Sequence, residues 1–204
     1  MSHKGKLVAL EGIDRAGKSS IIERLPSLLS DCKVSLVICG ELQSPIAPII
    51  RDLLYKGASP FLKTFLFAAD RAWTYESKCL PALRHGGLVI WDRYVDSAMV
   101  YRSVELSLFG SDFDSSFVND INRLFVPPDL TIYIDITAET SMKRVESVGV
   151  KGPYNPEFLE KVRAEYLRIA PLRGYVVING EQSLDVVVSE VAQVIRRQFR
   201  ELFP

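Results

Sequence analysis

The chain has 204 residues, 48% of them hydrophobic, and its 25 lysines and arginines balance its 25 aspartates and glutamates. This length suits one sizeable α/β domain and is short for two, so we expect a single domain over residues 1–204. The balanced charge argues against a nucleic-acid partner, because proteins that bind duplexes carry a broad basic surface. A small anionic ligand remains compatible with this composition.

The cysteines and the N-terminal residues bear on the cellular compartment. Cys32, Cys39 and Cys79 are widely spaced and odd in number, which favours a reducing cytoplasm over a disulfide framework. The first apolar run stops at Glu11 and Gly12, which makes it too short for a signal peptide or a membrane span. We therefore expect a cytoplasmic protein with no membrane partner.

Apolar runs rich in β-branched residues predict five strands, with helical patterns between them. The strands are predicted at 6–11, 33–38, 87–91, 130–136 and 175–178. The helices are predicted at 17–29, from between Pro45 and Pro48 through Leu54, at 60–84 and at 184–199. Continuous apolar strands are typical of a parallel sheet that is covered on both faces. Pro81 is expected to kink the long helix near its end. Two glycines and two prolines predict a loop from Ser147 to Pro156.

A phosphate-binding loop is predicted where the first strand meets the first helix. The pattern GxxxxGK[ST] is matched by Gly12, Ile13, Asp14, Arg15, Ala16, Gly17, Lys18 and Ser19, followed by Ser20. Glycines at the two ends let backbone N–H groups point at phosphate oxygens, and the following helix adds its positive dipole end. Lys18 would then bridge the β- and γ-phosphates, and Ser19 would ligate Mg²⁺. These nine residues predict an ATP·Mg²⁺ site.

Two further pairs of residues are candidates for the site. Asp92 and Arg93 follow a buried strand, whose carboxyl end should face the ligand crevice of a parallel sheet. Asp92 could hold a Mg²⁺-bound water and Arg93 a second phosphate, the alternative being a helix cap and a surface ion pair. Phe67 and Arg71 share one helical face and could contact a base, the alternative being core packing with a solvated rim.

Four segments together resemble thymidylate kinases, in the order and at separations similar to those of that family over nearly the whole chain. They are EGIDRAGKSS, FLFAADRAW, WDRYVDSAMVY and PPDLTIYIDITAE. The resemblance implies an α/β P-loop NMP-kinase fold with five parallel strands and helices on both faces. It also implies a homodimer that transfers the γ-phosphoryl group of ATP to dTMP.

The resemblance further implies a role for individual residues. Phe67 would stack on the thymine, Arg71 would read its exocyclic oxygen, and Ser97 would line the base pocket. Arg93 would hold the acceptor phosphate, Asp14 would contact the 3′-hydroxyl, and Tyr101 and Tyr154 would pack against the sugar and select deoxyribose. The catalytic residues would be Arg15, Lys18, Asp92 and Arg93. Ser19 and Asp92 would bind the metal ion.

The chain also departs from the usual family pattern. With Arg15, the chain resembles the subtype that carries a catalytic arginine in the phosphate loop. In the lid, about 146–156, the sequence has only Lys151 as a basic residue. After the second strand the family usually has an arginine, whereas this chain has Cys39 to Gln43 without one, and Arg102 stands where glutamine is common. Arg102 either supplies the lost charge or indicates another acceptor. A kinase for another monophosphate or a nucleoside, and a weakened nucleotide-binding module, therefore remain alternatives.

Overall fold

The computed structural model describes residues 4–109, 116–148 and 154–204. Five strands within these ranges form one sheet: β1 Lys6–Glu11, β2 Leu36–Gly40, β3 Leu88–Asp92, β4 Leu130–Asp135 and β5 Val176–Asn179. All pairings are parallel, and the strand order is β2-β3-β1-β4-β5. The predicted five-stranded parallel α/β fold is confirmed.

Helices connect the strands. In the described ranges they are α1 Lys18–Leu28, α2 Ala47–Tyr55, α3 Pro60–Thr74, α4 Leu80–Arg84, α5 Val95–Phe109, α6 Ser116–Asn122, α7 Ala138–Val148, α8 Pro156–Arg173 and α9 Leu184–Gln198. The predicted lid, 146–156, thus starts in the last turn of α7 and ends at the first residue of α8. Residues 149–153, which include Lys151, lie outside the described residues.

The three central strands of the sheet, β1, β3 and β4, are buried on both faces, as their apolar sequences predict. Val8 and Leu10 of β1 belong to one core cluster, and Leu7 and Ala9 belong to another. Because successive side chains of a strand point to opposite faces, these clusters lie on the two sides of the sheet. The larger cluster includes residues of α1, α5, α8 and α9, and the smaller one includes residues of α4.

Two predicted elements differ from the structure. The second strand begins at Leu36 and not at 33, because the Lys33 N–H donates to Leu202 O, at 2.9 Å, near the C-terminus. The predicted helix 60–84 is interrupted by a π-helical turn at Tyr75–Cys79, in which the Leu80 N–H bonds five residues back to Tyr75 O. Pro81 has no N–H to offer, so regular helical bonding cannot pass through this point unchanged.

The topology places a crevice at the carboxyl ends of the central strands. β1 lies in the middle of the sheet, with β3 on one side and β4 on the other. The chain order reverses there, and such a switch point is where open α/β sheets bind ligands. No helix of the described residues is long and apolar enough to cross a bilayer.

Candidate active site

The loop between β1 and α1 has the backbone shape that its glycines predict. Gly17 has a φ of 94°, in the left-handed region that favours glycine. A side chain at Gly12 would lie 2.8 Å from the Ile134 carbonyl oxygen, so close approach to β4 requires glycine there as well. Lys18 folds back over the loop, and its Nζ donates to Gly12 O at 2.9 Å and to Ile13 O at 3.0 Å.

Lys18 is an unusually buried cation. Its exposed fraction is 5%, and burial, with the nearby Arg93 charge, lowers its pKa to about 8. Removing an ammonium group from water disfavours its charged form, whereas an anion placed beside it restores that form. The loop therefore holds a lysine whose charged form an anion bound beside it would stabilise.

Ser19 and Asp92 meet at the point predicted for the metal. The Ser19 hydroxyl donates to Asp92 Oδ2 at 3.3 Å, and Asp92 Oδ1 is buried without a hydrogen-bond partner. The described residues contain no group of three or more His, Cys, Asp or Glu that could hold a metal ion by themselves. Mg²⁺ characteristically uses one or two protein oxygens together with phosphates and water. The hydroxyl and the carboxylate fit such an ion.

Arg93 stands in a strained turn immediately after β3. Its φ is 60°, which is uncommon for a residue other than glycine. Two hydrogen bonds hold the turn: the Arg93 N–H donates to Leu10 O at 3.1 Å, and the Tyr94 N–H donates to Glu11 Oε1 at 2.9 Å. Strain of this kind persists only where the surroundings over-determine it, and it clusters at functional sites.

The strained turn aims Arg93 at the phosphate loop. Its Nη2 donates to Asp14 Oδ1 at 2.5 Å, and the Tyr101 hydroxyl donates to the same oxygen at 3.1 Å. The Arg93 guanidinium carbon also lies 5.2 Å from the centre of the Tyr101 ring. Burial raises the pKa of Tyr101 well above its ordinary value, so its hydroxyl remains a donor. The structure thus brings three predicted site residues together.

Glu11 is a buried carboxylate that the sequence analysis did not assign. It accepts hydrogen bonds from Ser97 Oγ at 2.5 Å and Tyr166 OH at 2.9 Å, and its exposed fraction is zero. Burial raises the pKa of Glu11. It ties β1 to α5 and α8, and its partner Ser97 lines the cavity beside the phosphate loop. An acid at the end of an apolar strand, just before Gly12, is the sequence signal that could have identified it.

A cavity of about 220 Å³ opens beside the phosphate loop. Six of the seven residues predicted to bind the acceptor line it, namely Asp14, Phe67, Arg93, Ser97, Tyr101 and Tyr154, together with Glu41, Leu42, Leu54, Lys63, Thr64, Ala98 and Arg102. Pockets that combine aromatic walls with a few charged groups are typical of small-molecule sites. The predicted residues therefore form one pocket, and their individual roles stay predictions.

Arg71, the seventh predicted residue, does not line this cavity. Its exposed fraction is 1%, and its Nη1 donates to Asn122 Oδ1 at 2.7 Å. Its Nη2 lies 3.7 Å from Glu41 Oε1, and neither Nε nor Nη2 has a hydrogen-bond partner. Burial raises the pKa of Glu41 to about 7. Arg71 lies deep behind the cavity wall, with two nitrogens still able to donate.

The segment after β2, where the family arginine is missing, is held by α3. Asp70 is fully buried and accepts from the Leu42 N–H at 2.6 Å and the Ser44 N–H at 3.0 Å. Leu42 has a φ of 58°, a third strained position next to the site beside Arg15 and Arg93, which both have a φ of 60°. This segment thus contributes Glu41 and Leu42 to the cavity, which the sequence analysis did not foresee.

A second cavity, of about 240 Å³, lies on the α9 side of the phosphate loop. Its walls are Ala16, Gly17, Ser20, Ile21, Arg144, Gly180, Gln182, Leu184 and Val187. Arg144 of α7 spans it, with Nη1 donating to Arg15 O at 3.0 Å and Nη2 to Gly180 O at 2.9 Å. The sequence analysis missed Arg144, because only the fold brings α7 against the loop.

Comparisons with known proteins give one consistent result. The family model described as "Thymidylate kinase" matches residues 10–191. A protein named "Probable thymidylate kinase" from Pyrobaculum aerophilum is 34% identical over 200 residues, covering 95% of this chain and 97% of its own. A "Thymidylate kinase" from Thermoanaerobacter pseudethanolicus is 34% identical over 203 residues, covering 95% and 98%. A "Probable thymidylate kinase" from Methanosarcina barkeri is 33% identical over 199 residues, covering 94% and 96%.

Proposed function

This chain belongs to the thymidylate kinase family, and we propose that it transfers the γ-phosphoryl group of ATP to the phosphate of dTMP. The observation that carries the proposal is the Asp14–Arg93 ion pair, which joins the phosphate loop to the acceptor cavity. Donor and acceptor phosphates bound at these places would be neighbours. Proximity of this kind is a large part of phosphoryl-transfer catalysis.

ATP is proposed to bind along the phosphate loop with its base in the cavity beside Arg144. The N–H groups of residues 12–20 and the Lys18 ammonium would receive its phosphates. Ser19 and Asp92 would hold Mg²⁺, Asp92 through a water, and the ion would neutralise charge on the β- and γ-phosphates. The apolar side chains of Ile21, Leu184 and Val187 in the wall of that cavity would suit a planar base.

The reaction needs positioning and charge stabilisation, and no covalent enzyme intermediate. An oxygen of the dTMP phosphate forms a bond to the γ-phosphorus while the bond to the β,γ-bridging oxygen breaks, which yields dTDP and ADP. Arg93 would hold the attacking phosphate with its planar fork, and Lys18 would follow the transferring group. Arg15 is proposed to stabilise the departing oxygen. Its guanidinium makes no hydrogen bond or ion pair within the part of the chain that the structure describes.

The acceptor is proposed to lie with its base on Phe67 and its sugar between Asp14 and the tyrosines. The rings of Tyr101 and Tyr154 are 5.5 Å apart, so a 2′-hydroxyl would find little room beside them. Asp14 would accept from the 3′-hydroxyl. Arg71 lies behind the cavity wall, so its proposed contact with the exocyclic oxygen of thymine requires the unpaired Nε and Nη2 to move toward the base.

We further propose a cytoplasmic homodimer that pairs through α3. Phe61 and Phe65 on this helix are 43% and 47% exposed, and the Phe61 ring lies 5.8 Å from the ring of Phe117. Clustered exposed aromatic rings are characteristic of protein interfaces. Sedimentation of the purified protein, compared with a Phe61→Ser, Phe65→Ser variant, tests the dimer. A monomeric wild-type protein would contradict it.

An ADP-release assay with dTMP, dUMP, dCMP, dGMP, UMP and thymidine tests the activity. We expect dTMP to exceed dUMP and thymidine to be nearly inactive, because a nucleoside leaves the Arg93 site without its phosphate. Comparable rates with thymidine and dTMP would overturn the proposal.

Lys18→Ala serves as the matched inactive variant. It should abolish transfer while the thermal unfolding midpoint stays close to that of the wild type, because Lys18 bonds to loop carbonyls and contributes little to the core. Turnover at the wild-type rate in this variant would contradict the role given to the phosphate loop.

A further inference from the structure

A buried charge cluster forms the wall of the acceptor cavity farthest along α5. At its centre is Glu105, with 7% of its side chain exposed. Its Oε1 accepts from Lys63 Nζ at 2.8 Å and from Tyr154 OH at 3.0 Å, and its Oε2 lies 2.7 Å from Arg102 Nη1. One carboxylate thus holds groups from α3, from α5 and from the residue two before α8. All three of these groups line the cavity.

The cluster contains more donors than acceptors. Lys63 and Arg102 are two cations against one carboxylate, and Arg102 presents five N–H donors and no acceptor. The Arg102 Nη1 atom is buried, and its approach to Glu105 lacks the angle of a hydrogen bond. Its Nη2 makes only a long bond of 3.4 Å to Tyr154 OH. Buried donors without good partners are costly, so a ligand that offers an acceptor would be stabilised here.

Arg102 lies against the ring that is proposed to carry the base. Its guanidinium carbon is 5.7 Å from the centre of Phe67. It is the seventh residue after Val95 at the start of α5, which puts it about 10 Å along the helix from the strand end that carries Arg93. The position thus favours contact with the base over contact with the acceptor phosphate.

We propose that Arg102 determines specificity for the acceptor base, by donating a hydrogen bond to one of its carbonyl oxygens, and that Glu105 positions it. This inference rests on the proposed function, because it assigns the base edge of the same acceptor. A guanidinium only donates, so it accepts a carbonyl oxygen and rejects an amino group at the same place. Thymine carries carbonyls at positions 2 and 4, whereas cytosine has an amino group at position 4.

Two alternative acceptor substrates distinguish the carbonyl at position 4 from the carbonyl at position 2. dCMP changes position 4, and 2-thio-dTMP replaces the oxygen at position 2 with a weaker acceptor. We expect the wild-type protein to prefer dTMP over one of them, and Arg102→Met to reduce that preference by about tenfold or more, the size typical of one lost direct contact. Both kcat/KM and the dissociation constant from calorimetry without ATP are measured.

Arg102→Met is suited to this test because Glu105 keeps Lys63 and Tyr154 as partners, so no buried charge is left alone. Arg168→Met is the matched control. Arg168 also pairs with a glutamate three residues away on its helix, but it lies on the surface, and its loss should leave both ratios unchanged. Glu105→Gln should weaken the same preference, with no further effect when Arg102→Met is already present, because the two residues act together.

Several outcomes would overturn the inference. Unchanged ratios in Arg102→Met, or an equal loss with every acceptor, would make Arg102 a source of charge or packing alone. The binding ratios remain informative even if the wild-type protein binds dTMP without phosphorylating it, since that result contradicts the proposed activity and not the role of Arg102. A wild-type protein without preference among the three acceptors would contradict the specificity itself.

Discussion

Arg93 and Asp14 form an ion pair, with Nη2 2.5 Å from Oδ1, that links the end of β3 to the phosphate loop across the crevice of the sheet. The strained turn at Arg93, with a φ of 60°, aims this guanidinium. An acceptor phosphate bound as proposed would share Arg93 with Asp14, so its affinity would depend on the geometry of the planar fork as well as on charge.

Arg93→Lys tests this dependence, because lysine keeps the charge and loses the fork. We expect the KM for dTMP to rise by about tenfold or more, while the KM for ATP changes far less, since ATP is held mainly by the loop. Steady-state kinetics with each substrate varied in turn measures both values. An equal rise in the two KM values would contradict an acceptor-side role for Arg93.

Arg15→Gly is expected to act on the transition state more than on bound ATP. In the proposed complex, loop N–H groups and Lys18 would already neutralise the phosphates of ATP, whereas the departing oxygen gains charge only during transfer. We expect kcat to fall by about tenfold or more with a much smaller change in the KM for ATP. Glycine also relieves the φ of 60° at this position, so the fold should be kept.

An unchanged kcat in Arg15→Gly, or a raised KM for ATP as the only defect, would move the catalytic charge to another residue. Arg15→Lys is the companion variant. It keeps a cation at the same place and should recover part of the rate.

ATP binding is expected to weaken as the pH rises through 8. Burial lowers the pKa of Lys18 to about 8, so in the free protein the ammonium is present below that pH and lost above it. Bound phosphates favour the charged form of Lys18, so above pH 8 the protein must take up a proton when ATP binds. The affinity for ATP therefore falls by at most about tenfold for each further pH unit.

Calorimetric dissociation constants for ATP between pH 6.5 and 9.5 measure this effect. In Lys18→Arg the affinity should stay nearly level over this range, because arginine remains protonated. A level profile in the wild-type protein would show that Lys18 keeps the ordinary lysine pKa.

Tyr101→Ala should raise activity on ribo-TMP relative to dTMP, because it removes a ring that is proposed to crowd the 2′ position. Tyr101→Phe separates crowding from hydrogen bonding: it keeps the ring and loses the 3.1 Å bond to Asp14. We expect the phenylalanine variant to retain its preference for deoxyribose. A deoxy-to-ribo ratio of kcat/KM that is the same in the alanine variant and the wild type would remove Tyr101 from sugar selection.

The elements that depend on neighbouring residues could be predicted from the sequence. The phosphate loop from Gly12 to Ser19 could be predicted because one local backbone shape requires its glycines, lysine and serine at fixed spacings. The strands were recognisable because burial on both faces demands continuous apolar runs. The family resemblance added the acceptor residues, six of which the fold brings to one cavity.

Other features depend on residues far apart in the chain. Glu11 contacts Tyr166 only once β1 has packed against α8, and Glu105 contacts Lys63 only once α5 has packed against α3. No local sequence pattern predicts either contact. Arg71 shares a helical face with Phe67 and yet lies outside the cavity, where its guanidinium donates to Asn122 Oδ1.

The sequence by itself thus determined the phosphate loop, the parallel sheet and the family, because local backbone requirements and burial patterns dictate which residue types follow one another in the chain. Only the tertiary structure decided which charges pair with which around the acceptor, and that Arg102 faces Phe67. The physical reason is that pairing between helices depends on how they pack against the sheet. This packing is set by the whole core and not by the spacing of any one segment.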